Sequence, residues 1–115
     1  MIDDWLSSKT GHWGARLQKM CEIEDLTLYA QTETQYHQAL KNTGFTDIQT
    51  RSENAHYAAY NQVIVDRLRE PHLANDFQKR FGQKAWQDAV EGYQLIADSI
   101  RDNELLIRWF KALKP

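Results

Sequence analysis

The sequence predicts a mixed α/β fold in which a small two- or three-stranded sheet carries about four to five helices. Three observations lead there. A capped helix over residues 32–43 stops at Gly44 and passes at once into an extended stretch. Residues 52–100 hold three further helical patterns with no strand between them, and the last dozen residues alternate as a strand that is apolar on both faces. The capped helix is the clearest element. Thr32 with Gln35 three positions on forms a capping box, Tyr36, Ala39 and Leu40 recur on one face, and Gly44 supplies a left-handed stop.

In chain order, Trp13, Leu17, Met20 and Cys21 have helical spacing and predict a short amphipathic helix from about His12 to Cys21. After the capped helix, Phe45 to Arg51 reads as a short strand with Phe45 and Ile48 buried. From Ser52 or Asn54 to Arg69 a longer helix presents Tyr57, Tyr60, Ile64 and Leu68 on one face, and Pro71 prevents its continuation. Pro71 opens the next helix, which carries Leu73, Phe77 and Phe81 and ends at Gly82. A third, from about Gln83 to Ile100, is expected to bury Trp86, Ala89, Val90, Tyr93, Ile96 or Ala97, and Ile100. Asp102-Asn103 marks a turn. Beyond it Leu105, Ile107, Trp109 and Leu113 alternate with Leu106, Arg108, Phe110 and Ala112, which places this strand inside the sheet.

At 115 residues the chain is expected to be a single domain, residues 1–115, able to bury roughly two-thirds of its unfolded surface. Its 42% apolar and 26% charged residues exclude disorder and call for a packed core. The net charge of −2, with both signs interspersed, offers no basic stripe for a phosphate backbone, so nucleic acid is not an expected partner. The single cysteine, Cys21, permits no internal disulfide and reads as a small core residue. Nothing resembles a signal peptide or a membrane span, so a cytoplasmic location away from membranes is expected.

The passage from Tyr29 to Ile48, a helix followed by Lys41-Asn42-Thr43-Gly44-Phe45 and a strand, resembles the penultimate helix–strand unit of class I S-adenosylmethionine-dependent methyltransferases. The likeness extends in the family's own order. Met1 to Leu6 is similar to the end of the fifth sheet strand, and Glu22 to Gln31 to the lead-in of the next helix. Phe77 to Gly82, Trp86 and Val90 to Tyr93 resemble the helical insertion of phosphoethanolamine methyltransferase-like proteins, placed here at residues 53–100. Glu104 to Pro115 resembles their final strand. The resemblance implies the C-terminal half of such a methyltransferase, with a partial Rossmann-like sheet whose last strand lies between the fifth and sixth and runs antiparallel to both. It also implies an open edge on the fifth-strand side, a remnant of about four residues, that is completed by dimerisation.

A donor such as S-adenosylmethionine needs a glycine-rich turn after the first strand and an acidic residue after the second. The five glycines, Gly11, Gly14, Gly44, Gly82 and Gly92, never form that pattern. No cofactor is therefore expected for the isolated chain, and S-adenosylmethionine only if the missing half is supplied. The catalytic tyrosine and histidine of the resembling enzymes precede the region covered, so no catalytic residue is assigned. Where those enzymes hold a substrate phosphate, this chain offers Trp5 for a tyrosine, Glu24-Asp25-Leu26 for an Arg-x-Tyr, and Ile96 for a lysine.

Other constellations carry less. His12, His37, His56 and His72 lack metal-ligand spacing, so no metal is expected, and Glu22, Glu24 and Asp25 read as a solvated turn. Thirteen aromatic residues could line a cavity for a small apolar or cationic ligand or simply fill the core. Trp5, Trp13, Tyr57 and Tyr60 are the candidate substrate-binding residues, Tyr57 and Tyr60 foremost, because in the resembling enzymes the helical insertion lids the acceptor site. Two functions remain open: a substrate-side methyltransferase half that is inactive alone and pairs with a second copy or with a separate cofactor-binding half, or an independent small-ligand-binding or oligomeric module built on the same fold.

Overall fold

The structure, a computed structural model, describes residues 2–8, 14–25, 27 and 30–114. Three strands, β1 (Ile2–Ser7), β2 (Thr46–Ser52) and β3 (Leu105–Leu113), form one sheet in the order β1-β3-β2, with β3 antiparallel to both neighbours. The terminal strand is thus central, as its two apolar faces require. The described residues also form the helices α1 (Ala15–Ile23), α2 (Glu33–Asn42), α3 (Asn54–Arg69), α4 (Pro71–Phe81) and α5 (Gln83–Arg101). β1 has six residues rather than the expected four. The helix expected from about His12 begins at Ala15, with the extended Gly14 as its N-cap; His12 and Trp13 lie outside the described residues.

Local signals set the element ends. Gln35 N donates to Thr32 Oγ1 at 3.2 Å while Thr32 N donates to Gln35 Oε1 at 2.9 Å, which closes the expected capping box. Gly44, at φ 95°, ends α2 in a Schellman turn: its N–H donates to Lys41 O and that of Phe45 to Leu40 O. α5 ends in the same way, with Asn103 at φ 60° in the left-handed position and Glu104 N donating to Ser99 O. Glu70, extended before Pro71, separates α3 from α4.

The alternation of β3 sends Leu105 and Ile107 to one face, where they pack with Leu17, Met20 and Cys21 of α1 and Ile100 of α5. Leu6 and Phe110 are buried on the other face, where Tyr36 of α2 stacks on Phe110 with centroids 4.6 Å apart. Arg108, on that face too, donates to Glu33 Oε2 and Ser52 Oγ.

Several expected core positions differ. Phe45 and Ile48 are only half-buried because β2 is an edge strand, interrupted by a register shift between Thr46 and Gln49. On α3 the buried stripe is Asn54, Asn61 and Val65, so Tyr60 turns to solvent. On α4 only Ala74 is buried, and Leu73 and Phe81 are exposed. The outer edge of β1 is partly closed: Ser7 N donates to Gln31 O at 2.9 Å, and Trp5 N to Asp4 Oδ1 at 2.8 Å. Among the described residues no helix is long and apolar enough to cross a membrane.

Candidate functional site

Between the sheet face that carries Trp5 and the helices α1, α3, α4 and α5 lies a cavity of about 870 Å³. Its size is in the range of small-molecule sites. Each wall follows from the fold. Trp5 stands opposite Ile107 in the β1–β3 register and so shares the helix-covered face. α3 contributes Asn61, α4 contributes Phe77, and α5 contributes Asp88 and Tyr93. Glu24, the C-cap of α1, closes the remaining side.

The wall is largely aliphatic, with rings from Trp5, Phe77 and Tyr93 and acceptors from Glu24, Asn61 and Asp88. Trp5 and Tyr93 are partly exposed into the opening, while Asn61 is 8% exposed and donates through Nδ2 to Tyr57 O at 2.8 Å. That bond leaves Asn61 Oδ1, which takes no partner among the described residues, as the acceptor beside the cavity. Asp88 carries an i,i+4 ion pair to the exposed Lys84. Glu24 makes no ion pair among the described residues, and its carboxylate rests on the backbone of α5 at Gly92, where a β-carbon would overlap Oε1.

The four aromatic candidates fare differently. Trp5 lines the cavity. Tyr57 packs against the core cluster, edge-on to His56 with centroids 5.4 Å apart. Tyr60 is 59% exposed and is not part of the cavity wall. Trp13 lies outside the described residues. Tyr93, expected in the core, is instead on the wall, and Asn61 was indicated by no sequence signal because a buried asparagine breaks the apolar pattern. Trp5, Glu24 and Ile96, the three places at which the resemblance expected phosphate-holding side chains, come together around this one cavity. Among the described residues no group of His, Cys, Asp and Glu is arranged to hold a metal ion.

No family model and no curated protein sequence matches the chain. Eleven solved chains match in structure. One is phosphoethanolamine N-methyltransferase 2 from Haemonchus contortus in complex with phosphomonomethylethanolamine and S-adenosylhomocysteine, at a TM-score of 0.77 and 19% identity. The match covers 98% of this chain and 25% of that one, so the chain spans about a quarter of that enzyme's length and shares with it a methyltransferase-like fold.

Proposed function

We propose that this chain is the acceptor-side portion of a methyltransferase-like protein, that it has no methyl-donor site of its own, and that it is inactive in transfer unless a donor-binding unit is supplied. The convergence of Trp5, Glu24 and Ile96 on one cavity carries the reading, since the methyltransferase resemblance independently put the acceptor contacts at those positions. The structural likeness, which spans nearly all of this chain but a quarter of the neighbour, is consistent with a part acting beside another part.

The described residues do not fit S-adenosylmethionine. A donor of this kind sits outside the carboxyl ends of parallel strands, on a glycine-rich turn that opens a helix. Here β1, β3 and β2 are antiparallel neighbours. Gly14, which opens α1 after β1, faces the carboxylate of Glu104 at 3.3 Å from the position of its absent β-carbon, so an acid stands where a ligand carboxylate would need a donor.

Calorimetric titration with S-adenosylmethionine and S-adenosylhomocysteine tests the claim directly. No saturable heat is expected from the chain alone; tight, stoichiometric binding of either would overturn it.

A further inference from the structure

Among the described residues the charged groups on the cavity wall are all of one sign. Glu24 and Asp88 are carboxylates, Asn61 adds its unpartnered Oδ1, and no lysine or arginine is among the described residues of the wall. The remaining surface is aromatic and aliphatic: Trp5, Phe77 and Tyr93 present rings, whose negative faces attract cations. A phosphate placed here would meet the unpaired Glu24 carboxylate, while Lys84 is already engaged by Asp88. A neutral apolar guest would leave the Glu24 carboxylate without a counter-charge. A cation carrying N–H or N-methyl groups satisfies both sets at once.

Gly92 shows how the Glu24 carboxylate is seated beside the cavity. The glycine sits in the middle of the 19-residue α5, where glycine is less favourable than alanine. The position is buried, and its bare backbone is what lets the Glu24 carboxylate lie against the helix. The ion pairs nearest in sequence, Lys19–Glu91 and Lys84–Asp88, do not involve Glu24.

Taking this cavity as the acceptor site proposed above, we infer that its ligand is a small organic ammonium ion without a phosphate group, with Glu24, seated on Gly92, as its counter-charge and Trp5 and Tyr93 as its ring walls. The substrate class therefore differs from the phosphobase held by the Haemonchus enzyme.

The test is calorimetry or NMR titration of the full chain, without any methyl donor, using choline, tetramethylammonium, phosphocholine and the neutral carbon isostere of choline. Choline and tetramethylammonium are expected to bind, and phosphocholine and the isostere to bind roughly tenfold more weakly or not at all. Absence of choline binding, or equal binding of phosphocholine or of the isostere, overturns the inference. Glu24→Gln should weaken choline by roughly tenfold with an unchanged melting temperature. Gly92→Ala separates the seat from the fold: it removes the helix penalty of glycine and displaces the Glu24 carboxylate, so thermal stability should hold while choline affinity falls. Undiminished affinity in Gly92→Ala refutes the seat. Because no donor is present, these outcomes are independent of the S-adenosylmethionine titration.

Discussion

Asn54 Oδ1 accepts the backbone N–H of Ile107 at 2.7 Å, joining the first turn of α3 to the centre of the sheet. The same side chain donates through Nδ2 to Ile100 O at 2.8 Å and Leu105 O at 3.1 Å, so one amide spans both sides of the α5–β3 turn. Asn54 is buried, as are Ile100, Leu105 and Ile107. Asn54→Ala would strand several buried backbone groups, and a loss of about 2–4 kcal/mol is expected from urea unfolding. Asn54→Asp should also destabilise, because a carboxylate would face the Ile100 and Leu105 carbonyls. A change in either variant smaller than about 1 kcal/mol would show that the turn holds without this bridge.

Asn54 also marks where sequence reasoning stops. The capping box at Thr32 and Gln35, the stop at Gly44 and the Asp102-Asn103 turn are governed by residues within one or two helical turns, and they were legible for that reason. The central place of β3 followed from apolar side chains on both its faces. The face of α3 was not legible: burial there goes to Asn54 and Asn61, which enter the interior by hydrogen bonding, and Tyr60 is displaced to solvent. Glu24 reads locally as a solvated turn residue and is indeed exposed; only its approach to Gly92, far along the chain, places it at the cavity.

Acid should loosen the junction of α1 with the end of α5. Asp102, the C-cap of α5, is bonded by Arg101 and Arg16, and these guanidinium groups hold its carboxyl at about 2 instead of 3.8. A depressed carboxyl pKa stabilises the fold above the unfolded value and loses that contribution as pH falls through the folded one. The melting temperature should therefore drop between about pH 4 and pH 2, and the drop should be smaller in Asp102→Asn and at high salt, since the pair is partly exposed. Identical acid profiles for Asp102→Asn and the parent would contradict this assignment.

At the alkaline end Tyr36 is the sensitive group. Burial first, then the nearby Asp4 carboxylate and the bond to it, raise its phenol above 10.0. The neutral ring is stacked on Phe110, so the stability it lends is present below pH 10 and is lost as pH rises through the raised value. Near-ultraviolet titration should show a late tyrosine phase from Tyr36. Tyr36→Phe should abolish that late phase. Asp4→Asn should move it only part of the way back, because burial is the larger cause; a complete return to the ordinary value would reverse the order of causes.

Self-association is the expectation that the chain's large exposed surface motivates. Its accessible area is 7661 Å², whereas a compact monomer of this mass exposes about 6,500 Å². Its radius of gyration is 16.8 Å against about 13 Å for a compact domain of this length. The excess, about 1,100 Å², is comparable to the roughly 800 Å² that each partner buries in a standard interface. The β1 edge is partly closed by Asp4 and Gln31, but α3 and α4 expose Tyr60, Val63, Leu73 and Phe81, which a second copy can cover by a two-fold contact. Light scattering at micromolar concentration should thus give twice the monomer mass, and Phe81→Asp should halve it by setting a charge in the apolar contact. A monomer at that concentration without the substitution would leave the exposed face of α3 and α4 to a different partner and end the case for a homodimer.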